Sequence, residues 1–265
     1  QIPVVVSRFF RQTFDDLTIP LTFFVTEDFD RDLESLANEV GQILEFFQSE
    51  YGPTDLQGLS FVQVGNTELL SKGSFGLILL ESGFIEQITV PKLELAKRLA
   101  RQWWGHSLRF GRSSDAWLQD GFATYAALRY LEVNHSEEFP TELARQAVQT
   151  FKYESKAPIS SGLQLQMGSQ EYESIVSSKG AWVLYMLSQL VGRDKFNMAL
   201  GEWYRLKTHQ TAGTEELMDF IRELTGDNYQ WFFVQWIESV GVPELRIDYK
   251  IYKLKDGSFK IRGQV

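Results

Sequence analysis

The chain has 265 residues, a formal net charge of −9 and a pI near 5.0, so nucleic acid is not expected as its main partner. It contains no cysteine, which excludes disulfides, thiolate zinc sites and cysteine nucleophiles. Hydrophobic residues make up 43% of it, with twenty Phe, ten Tyr and seven Trp, and this predicts a sizeable core with aromatic-lined clefts. No apolar run reaches the roughly eighteen residues of a membrane span, and the length allows one large domain or two smaller ones.

The first 90 residues mix strand and helix patterns, and we predict an α/β subdomain with a mixed sheet over residues 1–90. A helix is expected over Asp28–Tyr51, where apolar residues recur at three- and four-residue steps. Asp28 or Asp30 is its expected N-cap, and Gly52-Pro53 is its expected end. Four short apolar runs are predicted as strands: Pro3–Ser7, Pro20–Thr26, Leu59–Val64 and Gly76–Glu81.

Residues 91–240 are predicted to form active-site-like helices and a helical subdomain. The first helix is expected over Lys92–Gly105, and the second over Asp115–Val133 with Asp115 as its N-cap. Five further helices are predicted: Thr141–Tyr153, Ser178–Val191, Lys195–Leu206, Thr214–Leu224 and Tyr229–Val240.

The last segment, residues 241–265, changes pattern again. Apolar residues alternate up to Ile251, a Lys-Asp-Gly turn follows at Lys255–Gly257, and the alternation resumes at Phe259 and Ile261. This predicts a β-hairpin, which we expect to be the start of a truncated β module. The chain opens on Gln-Ile-Pro rather than Met, so we also expect it to be a mature or excised part of a longer protein.

Two neighbouring stretches carry a family pattern. They are Gln102-Trp103-Trp104-Gly105 and the run Asp-Ala-Trp-Leu-Gln-Asp-Gly-Phe-Ala-Thr-Tyr over residues 115–125. Together they resemble the catalytic core of the M1 family aminopeptidases, zinc enzymes of the gluzincin group whose pattern is His-Glu-x-x-His, eighteen residues, then Glu. Arg101 and Asp120 also have eighteen residues between them.

Three later stretches agree with this resemblance: Lys179-Gly180-Ala181, Leu190–Phe196, and Gln235-Trp236-Ile237 with Gly241-Val242-Pro243. The resemblance implies an α+β, thermolysin-like (gluzincin) catalytic-domain fold. In that fold an N-terminal α/β subdomain is followed by a helical subdomain, and the active-site cleft lies between them.

The resemblance places the family's metal ligands at Lys97, Arg101 and Asp120. Zinc is bound by atoms with a free lone pair, whereas a Lys ammonium and an Arg guanidinium offer only N–H groups and are positive at pH 7. One carboxylate does not make a metal site, and His106 is expected as a solvated or hydrogen-bonded turn residue. We therefore expect no zinc and no other cofactor, unless the hydrolase alternative below holds.

The other catalytic positions are replaced as well. The resemblance places the general base at Arg98, and a guanidinium does not accept a proton at neutral pH. The oxyanion-stabilising Tyr falls on Ser177, with Tyr172 near but out of register, and the Glu that holds the substrate's amine falls on Gly73. We predict no catalytic residue and no metal ligand in this chain.

The charged residues at these positions are predicted to form ion pairs. We predict that Arg101 and Asp120 pair with each other, with Lys97 alongside, and that Arg98 pairs with Glu94 four residues before it. A second interpretation is a basic patch that captures a carboxylate or phosphate, formed by Lys97, Arg98, Arg101, Arg109 and Arg112.

The prediction for function is an M1 metallopeptidase-like domain that is not catalytic and acts as an interaction or structural module. A peptide or protein segment in the cleft and further domains of the parent chain are the expected partners, with no nucleic acid and no membrane span in this segment. The alternatives are an aminopeptidase-type hydrolase with atypical ligands or a different chemistry in the same cleft, and an architectural spacer. For the compartment, the resemblance favours the bacterial cell envelope or a membrane-associated parent protein.

Overall fold

The computed structural model describes residues 5–29, 32–65, 73–87, 90–241 and 248–264. Its first part is a five-stranded mixed sheet made of β1 Phe10–Phe14, β2 Leu21–Val25, β3 Leu59–Val64, β4 Gly73–Ser74 and β5 Leu77–Glu81. The spatial order is β1-β2-β3-β5-β4. The three central strands β2, β3 and β5 run parallel, and the edge strands β1 and β4 are antiparallel to their neighbours.

The helix α1, Leu33–Tyr51, connects β2 to the parallel strand β3, which a short turn cannot do. Its N-cap is Asp32, whose carboxylate accepts a hydrogen bond from the backbone N–H of Glu34 at 2.9 Å. The expected cap Asp28 is wrong, because this residue lies in the preceding turn; the alternative Asp30 lies outside the described residues. The expected end is confirmed, since Gly52 with φ of 100° is the C-cap.

The first predicted strand is wrong in the part that the structure describes. Residues 5–7 of Pro3–Ser7 form no strand, and the edge strand is Phe10–Phe14 instead. Its sequence Phe-Arg-Gln-Thr-Phe is half polar, because an edge strand buries little of its surface. The other three predicted strands are confirmed to within one residue at each end.

The rest of the chain is mainly helical, as predicted. The helices are α2 Ser82–Ile85, α3 Lys92–Ala100, α4 Trp117–Asn134, α5 Phe139–Phe151, α6 Gln170–Tyr172, α7 Lys179–Val191, α8 Arg193–Lys207, α9 Thr214–Thr225 and α10 Gln230–Phe233. Two π-helical segments continue α6 and α10, namely Glu173–Ser178 and Val234–Glu238. The helix predicted over Tyr229–Val240 is therefore one short α-helix followed by a π-helical segment.

Two predicted helix boundaries around the family pattern are wrong. The helix α3 ends at Ala100 rather than Gly105, although Trp103 and Trp104 stay fully buried through the turns that follow. Asp115 does not cap α4; its carboxylate instead accepts hydrogen bonds from the backbone N–H and hydroxyl of Thr214, at 2.9 and 2.7 Å. The side chain therefore ties the start of α9 to the segment before α4.

The helix α4 is the centre of the helical part. It packs against α3 on one side and against α7 on another. A Cβ on Gly121 of α4 would lie 3.2 Å from the Cα of Gly180 in α7, so the two glycines allow the backbones to approach closely. Trp104 stacks on Phe122 with ring centroids 4.7 Å apart, which joins the turn after α3 to α4.

Two short strands within the helical part, β6 Arg109–Phe110 and β7 Thr211–Ala212, pair in parallel. The predicted hairpin is confirmed over β8 Asp248–Lys253 and β9 Phe259–Gln264, with Ile251 opposite Ile261. The expected start of its alternation falls within residues 242–247, outside the described residues. No helix in the described ranges is long and apolar enough to cross a membrane.

Candidate functional site

A cavity of about 240 Å³ opens where α3, α4, the α6 segment and the β4–β5 edge of the sheet meet. Four of the predicted site positions line it: Gly73, Arg98, Arg101 and Asp120. Lys97 and Ser177 are not part of its wall. The predicted site positions therefore coincide with a cavity. The structure adds further wall residues that were not predicted.

The predicted pair of Arg101 and Asp120 is confirmed. Nε and Nη2 of Arg101 both donate to Oδ1 of Asp120, at 2.8 and 2.5 Å. The hydroxyl of Tyr172 donates to the other carboxylate oxygen, Oδ2, at 2.7 Å. The side chain of Asp120 is 4% exposed and that of Arg101 is 14% exposed, so both oxygens of a buried carboxylate are satisfied by protein donors.

The charges in this network stabilise each other. Burial raises the pKa of Asp120, but Arg101, Lys97 and the Tyr172 hydroxyl outweigh it and hold that pKa below its usual value. Burial together with the Asp120 charge raises the pKa of Tyr172 far above its usual value, so the phenol stays protonated and remains a donor. At neutral pH the site therefore holds a carboxylate between a guanidinium and a neutral hydroxyl.

Lys97 lies alongside this network, as predicted, but its ion pair is with another residue. Its Nζ donates to Oε2 of Glu173 at 2.6 Å, and its side chain is 7% exposed. Glu173 is the first residue of the π-helical segment and lines the cavity. The two ion pairs thus connect α3 to α4 and α3 to the segment after α6.

Arg98 is committed to structural contacts. It donates to Glu94 at 3.1 Å, as predicted, and also to a carboxylate oxygen of Glu81 at 2.7 Å and to the carbonyl of Leu79 at 3.0 Å. Its guanidinium lies 4.3 Å from the ring centroid of Phe84, and its side chain is 4% exposed. The guanidinium is therefore a fixed, buried cation, and the correspondence of Arg98 to the family's general base stays a prediction.

The alternative interpretation of a single basic patch is wrong. Arg109 and Arg112 are exposed on and beside the short strand β6, Arg109–Phe110, and Arg112 pairs with Glu215 at 3.3 Å. Lys97 and Arg98 are buried and paired instead. These cations are close to one another in the sequence, but they do not form one exposed patch in the structure.

The structure places Ser177 away from the cavity. Its Oγ lies 2.8 Å from Oγ1 of Thr124 in the core, and the residue is 1% exposed. Tyr172 fills the wall in its place, at the end of α6 and directly before the π-helical turn. The family correspondence of Ser177 stays a prediction, but the phenol at the site belongs to Tyr172.

Gly73 lines the cavity with backbone alone. Its φ is 145°, and a Cβ at this position would lie 2.2 Å from the carbonyl oxygen of Leu77 on the paired strand β5. The local backbone therefore excludes a side chain, including the amine-binding Glu that the resemblance places here.

A comparison with models of protein families shows which family the chain belongs to. The family model described as the Peptidase family M1 domain matches residues 91–236, which is 146 of the 265 residues and more than half of the chain. The chain belongs to peptidase family M1. The predicted resemblance is thereby confirmed.

Curated relatives and solved structures agree with this membership. The chain is 27% identical over 184 residues to Aminopeptidase M1-D of Oryza sativa subsp. japonica, and 22% identical over 261 residues to mitochondrial Aminopeptidase 2 of Saccharomyces cerevisiae. These matches cover 64% and 92% of this chain but only 20% and 27% of the relatives. An M1 zinc metallopeptidase from Deinococcus radiodurans has the same fold, with a TM-score of 0.67, 20% identity, and coverage of 89% of this chain and 53% of that one. The predicted α+β fold is thus confirmed.

The residues of this M1 domain do not fit a zinc ion in the cavity. Arg101 and Lys97 present only N–H donors, and both oxygens of Asp120 already accept hydrogen bonds. Among the residues that the structure describes, three side chains suited to a shared metal ion meet only at His135, Glu137 and Glu138, a group that does not line this cavity.

His106 of the M1 domain lines the cavity beside this network. Burial and the Arg101 charge lower the pKa of His106 to about 4, so its imidazole is neutral at pH 7. In the unfolded chain it takes up a proton near pH 6.5, where the folded protein does not. The unfolded state therefore binds more protons between about pH 6.5 and 4, and the free energy of unfolding falls as the pH falls through this range.

The variant His106→Gln should remove this pH dependence. We expect the wild-type protein to lose about 2–3 kcal/mol more stability than the variant between pH 6.5 and 4. Urea unfolding of both proteins at several pH values measures it. Parallel stability curves for the two proteins would show that His106 is not buried in its neutral form.

Proposed function

We propose that this M1 domain is non-catalytic and serves as an interaction or structural module. The observation that carries the proposal is a hydrogen-bonded network. Arg101 and Asp120, two of the three positions where the family resemblance expects zinc ligands, pair with each other, and Tyr172 donates to Asp120. A metal would have to displace a guanidinium that is bonded twice to the only carboxylate of the three ligand positions. The ion pair joins α3 and α4 without a metal.

The position of the general base supports the same proposal. Hydrolysis needs a group that takes a proton from the attacking water. Arg98 is a permanent cation, and its Nε and Nη1 already donate to Glu94, Glu81 and the Leu79 carbonyl. Neither metal activation nor base catalysis therefore has a residue to perform it at the family positions.

The alternative is a hydrolase that uses atypical ligands or another chemistry in the same cavity. The relatives are named as aminopeptidases, so the relevant substrates are aminoacyl amides. Metal analysis of the purified protein, together with a panel of aminoacyl amide substrates before and after incubation with zinc, separates the two.

We expect far less than one zinc per chain and no turnover in either condition. A catalytic M1 aminopeptidase assayed on the same panel is the positive control. Stoichiometric zinc with turnover would overturn the proposal. Turnover without zinc, abolished by a substitution in the cavity wall, would favour the metal-free chemistry.

A pure spacer is the remaining alternative. The retained cavity of about 240 Å³, with polar side chains in its wall, supports a binding role instead, because a spacer has no need of it.

A further inference from the structure

Three side chains of the cavity wall have unused hydrogen-bonding groups. Arg101 uses Nε and Nη2 for Asp120, and its Nη1 has no partner within the described part of the chain. The amide of Gln119 and the ring of His106 likewise have no hydrogen-bond partner among the described residues. All three side chains are half-buried and line the open cavity, so their unused groups are within reach of a polar ligand there.

Two of these groups are held in place by their surroundings. Gln119 lies against the backbone of Gly105, where a Cβ would be 2.5 Å from its Cγ, and Gly105 has a φ of 118° that favours glycine. Arg101 is fixed by its two bonds to Asp120. A binding group that is already ordered loses little entropy when the ligand arrives.

We infer that this cavity binds a carboxylate group, held by Nη1 of Arg101 together with the Gln119 amide and the His106 ring. A guanidinium edge and an amide N–H match the two oxygens of a planar carboxylate. The inference rests on the proposed function, because in a zinc hydrolase the same space would hold the metal and the scissile bond.

The charges of the wall favour a carboxylate over a phosphate. Asp120 and Glu173 lie in the same wall, each compensated by one cation, Arg101 and Lys97. These four charges sum to zero, so a bound carboxylate adds one negative charge to the wall and a phosphate dianion adds two, which makes the dianion the more costly ligand. The volume is also below the range of pockets for drug-sized ligands, so it suits a single terminal residue or side chain.

The carboxylate can come from the C-terminus of a peptide or from an Asp or Glu side chain. Isothermal titration calorimetry distinguishes them with three peptides: acetyl-Ala-Ala-Leu, its C-terminal amide, and acetyl-Ala-Glu-Ala-amide. L-Leucinamide, which carries an ammonium and no carboxylate, is the probe of opposite polarity. Binding of the first peptide alone assigns a chain terminus, and binding of the third as well assigns any carboxylate.

The variants Gln119→Ala and His106→Ala leave the Arg101–Asp120 pair intact. Each is expected to weaken carboxylate binding about tenfold. Gln164→Ala, the same change at an exposed residue outside the cavity, is the matched control and should bind like the wild type. Unfolding curves of all variants verify that they fold.

Several results would overturn the inference. One is the absence of carboxylate binding at about 10 mM ligand, and another is equal binding of L-leucinamide. Displacement of the peptide by equimolar inorganic phosphate, or a loss of affinity in the control variant, would also contradict it. Stoichiometric zinc with turnover would instead contradict the proposed function itself, so a failure of the inference can be distinguished from a failure of the proposed function.

Discussion

Replacing Asp120 by Ala is expected to lower the free energy of unfolding by about 3–5 kcal/mol, and for a chain of this length to lower the Tm by about 6–10 °C. The substitution removes the acceptor of both Arg101 bonds and of the Tyr172 hydroxyl. A guanidinium that is 14% exposed is then left without its counter-ion, and a buried phenol without its acceptor. Thermal unfolding followed by circular dichroism measures the change.

An exposed ion pair provides the matched control. Asp219 and Arg222 lie 2.8 Å apart in α9, and both side chains are 59% exposed. Asp219→Ala removes the same carboxylate from a solvated pair and should leave the melting curve almost unchanged. A wild-type melting curve for Asp120→Ala would show that the network does not brace α3 against α4.

The double variant Arg101→Met with Asp120→Leu separates two free energies: the net contribution of the ion pair to stability, and the cost of leaving one of its charges unpaired. Replacing both charges by apolar side chains of similar size leaves neither an unpaired cation nor an unpaired anion. We expect it to be more stable than Asp120→Ala alone. If it is less stable than the single variant, the two charges stabilise the fold beyond mutual compensation.

The ion pair of Arg101 and Asp120 could be predicted because its spacing matches a known family pattern. The distance of nineteen positions from Arg101 to Asp120 matches the family pattern, and both ends of it lie on helices or directly beside them. The resemblance places two metal ligands of the family at these positions, so their opposite charges were expected to pair, and the two side chains do so. The i, i+4 partner of Arg98 followed from helix geometry in the same way.

Other contacts could not be predicted because they depend on irregular backbone. Tyr172 and Glu173 reach the cavity at the junction of α6 and a π-helical segment, whereas the spacing of the family motif had placed Ser177 there. The partner Glu81 of Arg98 comes from β5, seventeen residues away, and no local pattern indicates it. The choice of Asp32 among closely spaced aspartates likewise depends on where the chain turns.

Arg98→Glu, which would return a carboxylate to the expected position of the general base, should be the most damaging single change. The new carboxylate would replace a cation that is 4% exposed and bonded to Glu81 and Glu94. Three carboxylates would then share one buried site, and we expect a loss of more than about 5 kcal/mol, or failure to fold. Urea unfolding, or the soluble yield where unfolding cannot be followed, measures it.

Arg98→Met is the matched control, because it keeps most of the side chain over Phe84 and adds no negative charge. Its free energy of unfolding should fall by about 1–3 kcal/mol, mainly because the Leu79 carbonyl loses its guanidinium donor and some packing is lost.

The pH dependence tests the cause. Repulsion raises the pKa values of clustered carboxylates in the folded state above those in the unfolded state, so the folded Arg98→Glu protein binds more protons. Its stability relative to the wild type should therefore improve as the pH falls from 7 to about 5, and that of Arg98→Met, which leaves two carboxylates rather than three without a cation, should improve less. Wild-type stability of Arg98→Glu at pH 7 would contradict the structural role of Arg98. If the prediction holds, the contacts with Glu81 and Glu94 exclude a carboxylate at position 98 unless those neighbours change as well.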